Sequence, residues 1–342
     1  MLETFLATLT PMLTLFTCIA VGFILGKTKI LPSNAGKVMA KLETYVFCPA
    51  LSFSTMSQFC TVSSLGNHAT NILLSCGAVA LALGIAIPLS RVFVRTKSPE
   101  RGVFAYALAF ANSGYIGDPV VQALFGDQML SYYKLYCLPI TILIYTWGIS
   151  VLVPSGEKRD NPLKKILNAP TIAMLLGMAV GLSGLGHYIH DPILMDECGL
   201  EFIKKALDAL KSCMGPVAML LAGFTIANYS VRGMLKKTKV YIATLLRLIV
   251  IPAIIVAFVF GLKEAANALF GLTIGNTVLF LCYFSVGAPL GLNTVVFPEA
   301  YGGNPETGAS MTMISHTLCV LSIPLMYALM VTLFGPAAIP TM

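Results

Sequence analysis

The chain has little charge for its length: only 11% of its 342 residues are Asp, Glu, Lys or Arg, while 57% are hydrophobic. A soluble protein of this size needs a far more charged surface, so a water-exposed globule is excluded. No C-x-x-C pair occurs among the nine cysteines, which removes the common zinc and dithiol signatures. Most of them, such as Cys18, Cys76, Cys137 and Cys282, fall in apolar stretches, where cysteine behaves as a small hydrophobe. Cys60 and Cys198 lie near predicted outer loops and are the pair that could bridge. The opening MLETFLATLT carries Glu3 and no basic residue, so it reads as a first span rather than a cleaved leader. No nucleotide-binding loop or nucleophile–base arrangement stands out, so the expectation is not an enzyme, with no cofactor. The stretch HYIHD (His187–Asp191), followed by Glu197 and Cys198, is ligand-rich in name but reads as an ordinary polar loop.

What is present is apolar sequence, with a mean hydropathy of +0.83. Runs near the ~20 residues needed to cross hydrocarbon recur throughout. Ten spans are expected, at roughly 5–26, 34–57, 67–94, 101–125, 128–153, 169–186, 200–228, 239–261, 275–298 and 307–335. Short connections leave no separate soluble domain. Lys27 and Lys29, then Arg91, Arg95, Lys97 and Arg101, then Lys158, Arg159, Lys164 and Lys165, then Arg232, Lys236, Lys237 and Lys239 all lie on loops of one parity. Positive charge stays inside, which predicts a multi-pass cytoplasmic-membrane protein with both termini outside. The formal net charge of +7 is then a topology signal and implies no nucleic-acid partner.

The two halves resemble each other. PMLTLFTCIAVGFILG from Pro11 and PTIAMLLGMAVGLSGL from Pro170 both place Ala-Val-Gly at the same distance from the proline, ending at Gly22 and Gly181. Pro49 matches Pro216 and Pro119 matches Pro289 at similar offsets. With five spans per unit, the second unit must enter the membrane inverted. The expected fold is therefore all-α, ten transmembrane helices in two inverted five-helix repeats: residues 1–153, a short cytoplasmic linker 154–168, and residues 169–342.

Two spans are interrupted in matching places. The fourth contains NSGYIGDP and the ninth contains Gly287-Ala288-Pro289-Leu290-Gly291, followed by Asn293 and Thr294. Proline removes a backbone donor and glycine lets the chain extend, so both helices should break there. Broken helices at matching positions of inverted repeats point to the substrate site of a secondary transporter. Half-helix N-termini suit an anion and freed carbonyls suit a cation. Asn112, Ser113, Gly114 and Pro119 are expected to face Gly287, Pro289, Asn293 and Thr294 across a central cavity.

These same segments resemble the auxin efflux carrier family. The likeness rests on NSGYIGDP, on APLGLNTVVFPEAYGGNPETGAS leading into SHTLCVLSIPL, on PVAMLLAGFTIA and on LRLIVIP, and it spans essentially the whole chain. The more distant bile-acid/sodium symporters look similar. The resemblance implies helices 1, 2, 6 and 7 as a scaffold, often homodimeric, and helices 3–5 and 8–10 as a moving transport domain of elevator type. It implies a small organic anion as substrate, a mono- or dicarboxylate, auxin-like or malate- or malonate-like. Plant members carry a long central loop; the short one here looks bacterial. The family often has an apolar residue where this chain has Asp118, which speaks against a simple uncharged cradle.

Ionisable residues within spans are functional candidates by default. Asp118 should be protonated, neutralised by a bound sodium ion, or paired with a basic residue such as Arg247. Proton or sodium as coupling ion would make it the coupling site. Arg247 either snorkels to the inner surface or serves as charge partner. His316 is either a packing residue or a proton carrier. Lys37, Lys41, Glu43, Lys204, Asp208 and Lys211 read as helix ends reaching water or an interface, and Lys134 as snorkelling at the outer end of span 5. The alternatives to a simple anion carrier are a sodium- or proton-coupled symporter of the bile-acid type, and a transporter-like sensor without turnover.

Overall fold

A computed structural model describes residues 2–152, 169–191, 201–295, 298 and 305–335. Among these the chain is helical, with no strand and one isolated antiparallel bridge between Ala111 and Leu290. Helices cover every apolar stretch read from the sequence: Leu2–Lys27, Ala35–Phe59, Val62–Phe93, Pro99–Ala109, Asp118–Tyr136, Leu138–Leu152, Ala169–Leu182, Glu201–Ala227, Thr238–Phe270, Thr277–Gly287 and Pro305–Phe334. Four are long and apolar enough to cross a bilayer, namely His68–Phe93, Glu201–Ala227, Thr238–Phe270 and Glu306–Phe334. A fifth joins them if Asp118–Tyr136 and Leu138–Leu152, bent by 51°, form one span. The linker 154–168 and Cys198 lie outside the described residues, so the Cys60–Cys198 pairing does too.

Proline shapes several helices. Glu43–Phe47, Ser113–Gly117 and Leu246–Val250 are single π-helical turns, and each is followed two residues on by proline: Pro49, Pro119 and Pro252. A proline ring cannot donate to the carbonyl four residues back and crowds it, so widening the preceding turn relieves the clash without ending the helix. A fourth π-turn, Ile144–Gly148, has no such proline, and nothing in the structure explains it. Gly126, with φ at +79°, turns the chain sharply within Asp118–Tyr136, between the expected fourth and fifth spans.

Packing is reciprocal between the halves. Leu2–Lys27 packs along Glu201–Ala227, while Cys48–Phe59 packs along Ala169–Leu182. A Cβ on Gly22 would stand 2.2 Å from the carbonyl oxygen of Leu220, and one on Gly181 would stand 2.5 Å from that of Cys60. Where lipid supplies no hydrophobic drive between helices, such close backbone approach is how they hold together. Val62–Phe93 and Thr277–Gly287 both pack on Ile251–Phe270. Tyr106, Phe110, Tyr133, Tyr136, Tyr283 and Phe284 fill the interior around the two helix breaks, while Ile24, Leu176, Leu321 and Leu325 point outward.

Candidate functional site

The Pro99–Ala109 helix starts under the Ser98 side chain, which accepts from the Arg101 amide at 3.4 Å. It stops at Phe110, whose backbone is extended. In the other half Thr277–Gly287 stops at Ala288, also extended. The two extended pieces run antiparallel, and the Asn112 amide donates to the Pro289 carbonyl at 2.7 Å. The Leu290 amide donates to Ser315 Oγ at 3.2 Å. The Tyr133 hydroxyl lies 3.3 Å from the Ser113 carbonyl and 3.1 Å from that of Phe284, so it can donate to either break. Thus groups freed by the interruptions find partners in the chain, as a water-poor interior demands.

A cavity of about 110 Å³ adjoins this crossing. Since one water needs about 10–15 Å³ of such space, it has room for several waters or one small organic ion. From the breaks it is lined by Asn112, Ser113, Gly114, Gly291 and Asn293, and from the helices around them by Asp118, Lys134, Thr44, Ser52 and Thr171. The Asn293 amide group donates to the Tyr106 hydroxyl at 2.9 Å, which holds the side chain at the cavity edge.

Half of the expected facing residues lie elsewhere. Pro119, Gly287, Pro289 and Thr294 do not line the cavity. Pro119 lies against Gly215, Gly287 against the Tyr283 ring, and Thr294 bonds back to the Gly291 carbonyl at 2.8 Å. Pro289, though off the cavity, does face Asn112, through its carbonyl at the junction. His316 is buried beneath Asn112: its Nδ1 is 2.7 Å from the Thr312 carbonyl, and its Nε2 is 3.5 Å from the Asn112 amide nitrogen. A carbonyl can only accept, so Nδ1 carries the proton and Nε2 is left as acceptor toward Asn112.

Four expectations about charge need correction. Asp118 pairs with Lys134, not with Arg247, in a contact where the two side chains are only 3% and 11% exposed. Lys134 does not snorkel outward; it also donates to Ser52 Oγ at 3.4 Å. The turn at Gly126 folds span 5 back beside the start of the Asp118–Tyr136 helix, bringing residues distant along the chain together. Arg247 neither snorkels nor pairs. It is fully buried on the Leu246–Val250 turn, and none of its guanidinium nitrogens has a partner among the described residues. Glu43 likewise does not reach water: it is 0% exposed, and neither carboxylate oxygen has a partner among the described residues. Lys204 and Asp208 do pair, at 3.5 Å, and Lys211 bridges Asp208 and Asp127, both at 3.1 Å. The reading of the sequence missed Tyr106 and Tyr133, which no local signal marks, and gave Lys134 a surface role instead of a place on the cavity wall.

Comparison with known proteins agrees with this architecture. A family model described as membrane transport protein matches residues 7–162 and 160–327. An uncharacterized transporter of Methanocaldococcus jannaschii is 25% identical over 317 residues, covering 90% of this chain and 94% of that protein. With apolar helices throughout, two interrupted helical segments joined beside a polar cavity and a family match over nearly its whole length, the chain belongs to the auxin efflux carrier family of multi-pass membrane transport proteins.

Proposed function

We propose that the chain is a secondary transporter that moves a small organic anion, a mono- or dicarboxylate, by elevator-type alternating access. The observation that carries this reading is the junction of the two breaks, Asn112 to Pro289 at 2.7 Å, beside a cavity bearing Asn112, Asn293 and Lys134. Amide donors and one ammonium are the groups a carboxylate needs, and a site at a crossing of broken helices can open to either side. Ten helices in two inverted repeats belong to the same proposal. Its support is the reciprocal packing: Gly22 of the first repeat meets the second helix of the other half, and Gly181, its counterpart, meets the second helix of the first. So do the division into a scaffold of helices 1, 2, 6 and 7 and a transport domain, dimerisation through that scaffold, and a cytoplasmic-membrane location with both termini outside.

A cation-coupled version is favoured by one observation, the Asp118–Lys134 pair on the cavity wall. An arriving proton or sodium ion would compete with Lys134 for Asp118, and the freed ammonium would turn to the substrate carboxylate. Uptake of labelled carboxylates into proteoliposomes, with and without proton and sodium gradients, tests both versions. Saturable uptake supports the carrier, and its dependence on one gradient supports coupling. Saturable binding without flux overturns the transport reading.

A further inference from the structure

A second cavity, of about 550 Å³, shares no lining residue with the first. It opens between the end of Val62–Phe93, the start of Pro99–Ala109 and the stretch from Trp147 to Val151. Arg91, Lys97 and Arg101 line it, and among the described residues no carboxylate does. None of the three has an ion-pair partner among the described residues. Ser98 and Ser150 add hydroxyls, and Trp147, the only tryptophan of the chain, adds an indole.

Three like charges around one concavity repel one another unless an anion sits among them. The amino end of Pro99–Ala109 lies at the same place, with Glu100 in its first turn but not among the lining residues. The bowl is firmly built. A Cβ on Gly102 would stand 1.8 Å from the Val151 carbonyl oxygen, so the backbones of two of its walls are in contact. The rest of its lining is largely apolar, with Ile87, Pro99, Ala105 and Val151, and the Ser90 hydroxyl there donates to the Ile87 carbonyl at 2.8 Å. That combination, cations at the ends of membrane helices beside apolar side chains and an indole, fits a phosphate that carries hydrocarbon better than a free ion.

We propose that this bowl binds the phosphate of an anionic membrane lipid. The proposal rests on the chain lying in a membrane and is independent of the transported substrate. Purified protein in detergent would be titrated with phosphatidylglycerol, with phosphatidylcholine of the same acyl chains and with inorganic phosphate. Native mass spectrometry would count adducts, and thermal unfolding would follow stabilisation. Phosphatidylglycerol should give retained adducts and raise Tm, whereas the other two should do neither at the same concentration. Each of Arg91→Gln, Lys97→Gln and Arg101→Gln should weaken phosphatidylglycerol binding about fivefold. The triple variant should lose the adducts, and Arg91→Lys should retain them. Arg232→Gln with Lys236→Gln, on another basic loop, should leave binding within about twofold, well inside the loss expected for one bowl charge. Equal binding of the two lipids, an undiminished adduct in the triple variant, or equal loss in the Arg232/Lys236 control would overturn the proposal. Stabilisation by inorganic phosphate that matches phosphatidylglycerol would overturn the lipid assignment.

Discussion

The amide of Asn112 and the carbonyl of Pro289 lie 2.7 Å apart, a backbone bond between segments from opposite halves of the chain. That bond does not depend on the asparagine side chain, which instead faces the cavity and His316. Asn112→Leu should therefore leave the junction and the fold intact while reducing carboxylate uptake to background. The check is uptake beside size-exclusion profile and Tm; undiminished flux would count against the site.

Asp118 and Lys134 neutralise each other in the interior. Removing one partner strands the other charge, which costs about 3–5 kcal/mol for a buried pair. Asp118→Asn and Lys134→Gln should each lower stability by that order, and the double variant should recover most of the loss. Thermal or chemical unfolding of all four proteins gives the coupling. If Asp118 loads the coupling ion, Asp118→Asn also loses the pH or sodium dependence of uptake while exchange of bound substrate survives. Wild-type ion dependence in that variant removes Asp118 from the coupling role.

Gly22 and Gly181 test the reciprocal interface. Alanine at either would drive a methyl into the facing backbone, at 2.2 Å and 2.5 Å. Forcing the helices apart should cost about 1–3 kcal/mol at each site. Gly84 has nothing within 4 Å of its Cβ position, so Gly84→Ala should be neutral or slightly stabilising. Equal Tm for all three variants would contradict the packing described.

His190 lies beyond the expected spans, with Nε2 2.8 Å from Ser57 Oγ. Burial, aided by Lys211 and Lys204, pushes its pKa below the usual histidine value of 6.5. The unfolded chain then binds the proton more readily than the folded one. Stability from this group is complete above pH about 6.5 and is lost as pH falls below it, by no more than ~1.4 kcal/mol per pH unit for one proton. Unfolding midpoints measured from pH 8 to 5 should fall less steeply for His190→Gln than for the wild type.

The membrane class, the helical stretches and the positions of both breaks were legible in the sequence, because each depends on local chemistry. Apolar runs of spanning length need no partner to be recognised, and Pro119 and Pro289 interrupt helices wherever those helices lie. The π-turns before Pro49, Pro119 and Pro252 were not legible, because Pro88, Pro216 and Pro324 lie inside helices without one. Gly126, with φ at +79°, falls in the gap between the expected spans 101–125 and 128–153, though nothing was read from the glycine itself.

The partners of the charges were not legible. Lys134 and Asp118 are 16 residues apart, and only the fold-back at Gly126 makes them neighbours. Asn112 meets Pro289 and His316 across the whole chain, and Glu43 and Arg247 are buried by helices that their own sequence does not name. Backbone interruption is settled within one helical turn, whereas the neutralisation of a buried charge depends on which distant helix packs beside it, and only the tertiary structure decides that.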